Sequence, residues 1–157
     1  MTREALLLIH PTFGVLAAMA ALWVLAEVVR PDPTGMWRVK TASLLVAVLL
    51  VATWLAGGLW DEFYFDPERD FVEKGSWAFF GNTGMEMKEH LFPIIMLLGL
   101  YLPVVAFRGN LATERGNRVI IGVASTLVVL SALAMEAAGA VLGLSVKVGL
   151  LQAGGSM

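Results

Sequence analysis

At 157 residues, with 58% hydrophobic and only 15% charged side chains, the chain is too apolar for an ordinary water-soluble domain. Its net charge of −2 and its short basic segments argue against a nucleic-acid-binding protein. The absence of cysteine excludes disulfides, thiolate metal ligands and covalently attached haem. These properties indicate an integral membrane protein.

Four apolar stretches separate the charged clusters, and each is close to the roughly 20 residues that a helix needs to cross a hydrocarbon core. We predict helices at about 10–29, 41–60, 84–107 and 118–144, with a loop at 61–83. Helices are favoured because backbone groups in lipid must bond to one another, and the alternation typical of barrel strands is absent. The expected fold is an all-α bundle of four transmembrane helices, forming a single domain over 1–157.

The first span is expected to open at His10-Pro11. Proline suits the first turn of a helix, where its missing N–H would have no partner. The apolar run continues to Val29 and is interrupted early by Gly14. A signal peptide has a shorter, uninterrupted apolar core, so we interpret this span as a retained helix.

The short loops after the first and third spans contain more basic than acidic residues. The basic residues are Arg30, Arg38, Lys40, Arg108, Arg115 and Arg118. The positive-inside rule therefore predicts that both loops face the cytoplasm and that both chain ends face outward. The acidic, aromatic 61–83 loop would then face the periplasm, with the chain in a bacterial inner membrane.

The third span contains the second of only two histidines. Thr83 and Glu86 have the spacing of a capping box, which predicts a helix start near Gly84 and places His90 about two turns inside that helix. His10 and His90 should then lie at similar depth near the outer surface. Because ionisable groups in a bundle are costly, a shared ligand is one interpretation. The alternative is that each histidine simply lies at the lipid–water boundary.

Small residues accumulate at that depth on the other spans. Gly14, Gly58 and Gly139 are expected at one level on three helices. Such residues usually allow close helix packing, but they would equally leave room for a flat cofactor.

Two carboxylates are candidates for orienting a ligating imidazole. Glu86 precedes His90 by one turn, and Glu136 lies among apolar residues of the fourth span. The combined pattern predicts one haem b with His10 and His90 as axial ligands. Glu136 has the alternative interpretation of a helix-packing hydrogen bond.

Several short motifs run along the whole chain. They are Ile9-His10-Pro11 at the first helix, Gly57-Gly58 with Asp61 after the second, and His90 at the third. With a basic loop before a glycine-rich fourth helix, this pattern resembles a group of small four-helix bacterial inner-membrane proteins of unassigned function. The resemblance implies a haem-b site at His10 and His90 and gives no physiological substrate. The bundle also resembles small diheme b-type cytochromes, which need four histidines.

The leading hypothesis is a b-type haem protein that relays electrons at the outer face, as a subunit of a larger redox complex rather than a stand-alone enzyme. Its expected partners are other membrane redox subunits, the lipid bilayer and a periplasmic c-type cytochrome attracted by the acidic loop. A quinone is a further candidate cofactor. One alternative is a non-redox accessory or assembly subunit. A less favoured one is Cu(I) at Met85, Met87 and His90, since Met85 and Met87 do not share a helix face.

Overall fold

The computed structural model describes residues 2–29, 35–111 and 113–154, without the side chains of residues 66 and 67, and these ranges contain no strand. Five helices follow one another: α1 (Arg3–Val29), α2 (Gly35–Trp60), α3 (Asp66–Lys74), α4 (Ala78–Arg108) and α5 (Arg115–Gly154). All except α3 are long and apolar enough to span a membrane. The predicted all-α, four-helix, multi-pass membrane fold is therefore confirmed.

The four long helices form a ring in which α1 and α4 each pack against both α2 and α5. The short helix α3 lies against α4 and α5 at one end of the ring, which we call the α3 end. The opposite end, the basic end, carries Arg38, Lys40, Arg108, Arg115 and Arg118. Arg30, which contributed to the predicted orientation, and residues 155–157 at the chain end lie outside the described residues.

Small side chains line the interior of the ring. Ala17, Ala21 and Val24 of α1 are completely buried, and they follow the i+3/i+4 spacing of one helix face. On α4, a Cβ added to Gly99 would collide with the Leu50 side chain of α2. Helices in a membrane gain contact by such close approach, because lipid supplies no hydrophobic driving force between them.

Both histidine-bearing helices begin earlier than the sequence suggested. Because α1 begins at Arg3, Pro11 lies inside the helix and not in its first turn. Helix α4 begins at Ala78, so the Thr83 region is helical and its capping-box pattern does not mark a helix start. Packing explains the extension: a Cβ at Gly84 would lie 3.1 Å from the Ala138 carbonyl oxygen, so α4 and α5 are already in contact there.

The segment predicted as a loop at 61–83 is largely helical. Helix α2 runs directly into a π-helical turn, Asp61–Phe65, which leads into α3. Phe65 and Val72, seven residues apart, are buried against Leu142 of α5. A polar segment therefore forms a helix here because its few apolar side chains share one face and that face packs on α5.

Candidate binding site

A cavity of about 420 Å³ lies within the bundle at the α3 end. Its apolar wall includes Leu6, Leu50, Phe92, Ile95, Met135 and Leu142. Its polar lining comprises Arg3, His10, Thr53, Trp60, Glu68, Lys88 and Glu136. Mostly apolar walls with a few convergent polar groups are typical of small-molecule sites.

The His10 imidazole is held by α2. Its Nδ1 lies 2.9 Å from the Thr53 carbonyl oxygen. A carbonyl only accepts hydrogen bonds, so Nδ1 carries the proton, and Nε2 of the neutral ring keeps its lone pair. The Thr53 hydroxyl donates in return to the His10 carbonyl oxygen, at 2.8 Å. His10 therefore contributes a proton acceptor or ligand of defined tautomer to the cavity.

Gly57 makes room for the imidazole. A Cβ at this position would lie only 2.6 Å from Cε1 and Nδ1 of His10, which no packed structure tolerates without movement. Gly58 differs, because a Cβ there would meet nothing within 4 Å and the residue is exposed. The glycine that shapes the site on α2 is thus Gly57, and the predicted Gly58 does not line the cavity.

Two charged side chains cross the cavity in different directions. The Oε1 atom of Glu136 lies 2.8 Å from where a Cβ would stand at Gly14, so this carboxylate reaches from α5 to α1. Nζ of Lys88 lies 3.8 Å from the equivalent position at Gly139, so this ammonium reaches from α4 to α5. Lys88 also interacts electrostatically with the carboxylates of Glu136 and Asp61. Opposite charges thus offset part of the cost of placing each group among apolar walls.

Trp60 lines the cavity, and its indole N–H is buried. Within the described part of the chain, its buried Nε1 has no hydrogen-bond partner, and neither has the buried Oδ1 of Asp61. The indole ring is positioned by Phe65, whose ring centroid lies 5.2 Å away. Buried polar atoms are nearly always bonded in native proteins, so this N–H is an exception among the described residues.

His90 lies outside this cavity. Its side chain is exposed, and its Nδ1 bonds to the backbone carbonyl oxygen of Glu86 at 2.7 Å. The cavity face of α4 carries Lys88 and Phe92, and His90 lies about 200° around the helix from Lys88. The Glu86 carboxylate, a candidate for orienting an imidazole, is likewise on an exposed residue outside the cavity.

The cavity therefore unites only part of the predicted site. It brings together His10, Gly14, Glu136 and Gly139, and it leaves out Gly58, Glu86 and His90. The donor set of a bis-histidine haem is not assembled in this arrangement. Among the described residues, no three His, Asp or Glu side chains are grouped to hold a metal ion.

Several polar residues of the cavity were not predicted from the sequence. For one of them, Lys88, the glycines of α4 indicate its position. Gly81, Gly84 and Gly99 are buried on one face of α4. Lys88 falls on the same face at the i+3/i+4 spacing, whereas His90 does not. The glycine pattern of α4 thus indicates which charged residue points inward.

An ion pair joins α1 to α3 beside the cavity. The Arg3 guanidinium donates to the Glu68 carboxylate, and both residues line the cavity. The Glu68 side chain is 16% exposed and that of Arg3 41%. Together with the buried Phe65 and Val72, this pair holds α3 over the end of the bundle.

No protein-family model matches the chain, and neither a curated protein nor a solved structure matches it. The resemblance to small four-helix inner-membrane proteins stays a prediction.

Proposed function

We propose that the chain is an electron-transfer subunit of a membrane complex and that it binds a quinol in the cavity at the α3 end. The observation that carries the proposal is the presence of both donors and acceptors among apolar walls. Lys88 presents N–H donors, while His10 Nε2 and the Glu136 carboxylate present acceptors. The carbonyl oxygens of a quinone accept hydrogen bonds and the hydroxyls of a quinol donate them, so this cavity suits both redox forms.

A quinol, when oxidised, releases its hydroxyl protons and an electron pair. His10 is suited to take up a proton at Nε2, because its Nδ1–H is already bonded to Thr53. Glu136 supplies a second acceptor on the facing helix, and Lys88 is suited to hold a ligand oxygen by donation. The electrons require an acceptor in a neighbouring redox subunit or in a c-type cytochrome, which is the partner class this proposal names.

The proposal places the α3 end at the periplasmic face of a bacterial inner membrane. Its support is the pair of short loops at the opposite end, where five described Arg and Lys residues outnumber the acidic Glu27 and Glu114, because the positive-inside rule assigns such loops to the cytoplasm. The α3 end also exposes the acidic residues Glu62, Asp70 and Glu73. Such a surface attracts a basic partner over long range.

A single haem b with His10 and His90 as axial ligands is the competing occupant. The Nδ1–H bond from His10 to a backbone carbonyl favours it, because ligating imidazoles are usually oriented in this way. Ligation of a haem by both histidines would require α4 to rotate by nearly half a turn about its own axis. This rotation would bring His90 to where Lys88 now points. A non-redox accessory or assembly subunit is the second alternative.

Tryptophan fluorescence tests the quinol proposal, because quinones quench indole emission and Trp60 lines the cavity. Protein in mild detergent is titrated with a short-chain ubiquinone analogue. We expect saturable quenching that disappears in Trp60→Phe and persists in Trp54→Phe, the matched control, whose residue is 54% exposed. Lys88→Met should weaken binding about tenfold, the cost of losing one hydrogen bond to a charged group.

Each other outcome points to a different occupant. Wild-type protein without saturable quenching would overturn the quinol proposal. A Soret band lost in both His10→Ala and His90→Ala would replace the quinol by haem b. Colourless protein that binds no quinone would favour the accessory-subunit alternative.

A further inference from the structure

A second concave surface lies at the basic end, away from the cavity. It is an open groove of about 550 Å³ between the end of α1 and the first turns of α5. Its apolar wall includes Leu25, Val28, Val119, Val123 and Leu127. Gly122 deepens the groove because it has no side chain. A Cβ at this position would have one neighbour within 4 Å, Val28 Cγ1 at 3.9 Å.

Two arginines stand at one end of this groove. Arg115 and Arg118 are three residues apart on α5, so their side chains emerge from the same side of the helix. Arg118 Nη1 donates to the Leu111 carbonyl oxygen at 2.7 Å, which anchors this guanidinium beside the groove. None of the described residues that line the groove is acidic. The nearby Glu114 carboxylate accepts a hydrogen bond from the Asn117 side chain.

We propose that this groove binds one phospholipid with an anionic headgroup. The two guanidiniums hold the phosphate, since Arg presents donors in a fork that matches phosphate oxygens. One acyl chain lies along the apolar wall. From Arg115 to Leu127 the helix rises about 18 Å, which matches a headgroup plus the roughly 15 Å of hydrocarbon in one leaflet.

The positive charge of the groove favours one class of lipid, that with an anionic headgroup. Basic clefts between membrane-spanning helices recognise anionic headgroups. A zwitterionic headgroup would bring its ammonium group close to Arg115 and Arg118, and the like charges would repel. The acyl wall distinguishes this site from one for free phosphate, and the proposal is independent of what fills the cavity at the α3 end.

Native mass spectrometry from detergent tests this site with phosphatidylglycerol and phosphatidylcholine of identical acyl chains. We expect wild type to prefer phosphatidylglycerol about tenfold, the effect of one charge-assisted contact. Arg115→Gln combined with Arg118→Gln should abolish the preference. Arg108→Gln is the matched control, because Arg108 is a basic, exposed residue at the same end outside the groove, and it should keep the preference.

A third variant addresses the acyl chain and guards against misfolding, since Arg118 also bonds to the Leu111 carbonyl oxygen. Gly122→Phe fills the groove without a clash at Cβ and should weaken the binding of both lipids. Equal binding of the two lipids by wild type would overturn the proposal. So would a loss in Arg108→Gln as large as in the double variant, or soluble glycerol phosphate binding as tightly as the lipid.

Discussion

His10 and Thr53 are joined by two hydrogen bonds that run in opposite directions between α1 and α2. The imidazole Nδ1–H donates to the Thr53 carbonyl oxygen at 2.9 Å, and the Thr53 hydroxyl donates to the His10 carbonyl oxygen at 2.8 Å. The contact between two helices thus also sets the orientation of a cavity side chain. Any change that separates α1 from α2 should therefore alter ligand binding together with stability.

Alanine substitutions at two adjacent glycines of α2 should have different effects on stability. Gly57→Ala places a methyl group against the His10 ring, and we expect a loss of about 1–3 kcal/mol in the free energy of unfolding, as for overpacked cores. Gly58→Ala, the control, meets open space and should be neutral or stabilising by up to about 1 kcal/mol. Unfolding in SDS followed by circular dichroism measures both. Equal losses at the two positions would contradict the packing described for His10.

Lys88 and Glu136 should show coupled effects on stability. Lys88→Met removes the positive charge that acts on Glu136 and Asp61, and we expect a loss of about 1–3 kcal/mol from the uncompensated carboxylates. Adding Glu136→Gln should recover part of this loss, because one of those charges is then absent. Lys147→Met, on the exposed surface of α5, is the control. Strictly additive effects of the two substitutions in the same SDS assay would show that the charges do not interact.

The orientation can be measured with cysteines, because the natural chain has none. Glu73→Cys at the α3 end and Arg115→Cys at the basic end are both at exposed positions. We expect an impermeant thiol reagent added to intact cells to label position 73 and to spare position 115. Labelling after permeabilisation shows that both thiols are reactive. The reverse pattern would place the cavity at the cytoplasmic face.

The exposed carboxylates of the α3 end should accelerate association with a basic redox partner. Neutralising Glu62, Asp70 and Glu73 together should slow binding of a basic c-type cytochrome at low ionic strength, and salt should reduce the difference. Glu68 is left intact because its partly buried ion pair with Arg3 helps to hold α3, whereas the pair of Asp70 with Lys74 is exposed. A variant that exchanges Asp and Glu at the same three positions keeps the charge and serves as the control. Stopped-flow mixing measures the rates, and identical rates for both variants would exclude steering by these residues.

The sequence predicted the fold well because its dominant signal is the length of four apolar runs. From the sequence, Gly14, Gly58 and Gly139 were expected at one level, near His10 and His90. Of these residues, His10, Gly14 and Gly139 line one cavity together with Glu136. These inferences need only the position of a residue along its helix.

Rotation about the helix axis was harder to predict. The depth of His90 says nothing about which way it faces, and the buried glycine face of α4 directs Lys88 inward instead. Helix α3 was missed although its segment has a proline in the first turn and several Glu, Arg and Lys residues, which favour helices. Its helical form depends on Val72 packing against α5, a contact between distant parts of the chain that local sequence does not reveal.

The π-helical turn at Asp61–Phe65 has a consequence for how this chain tolerates insertions and deletions. A π turn holds one residue more than an α turn, and removing that residue would rotate everything after it by about 100°. Val72 would leave the surface of α5, and Glu68 would turn away from Arg3. Deleting a single residue from this stretch should therefore move α3 away from the cavity at the α3 end. Every apolar span would keep its length and composition.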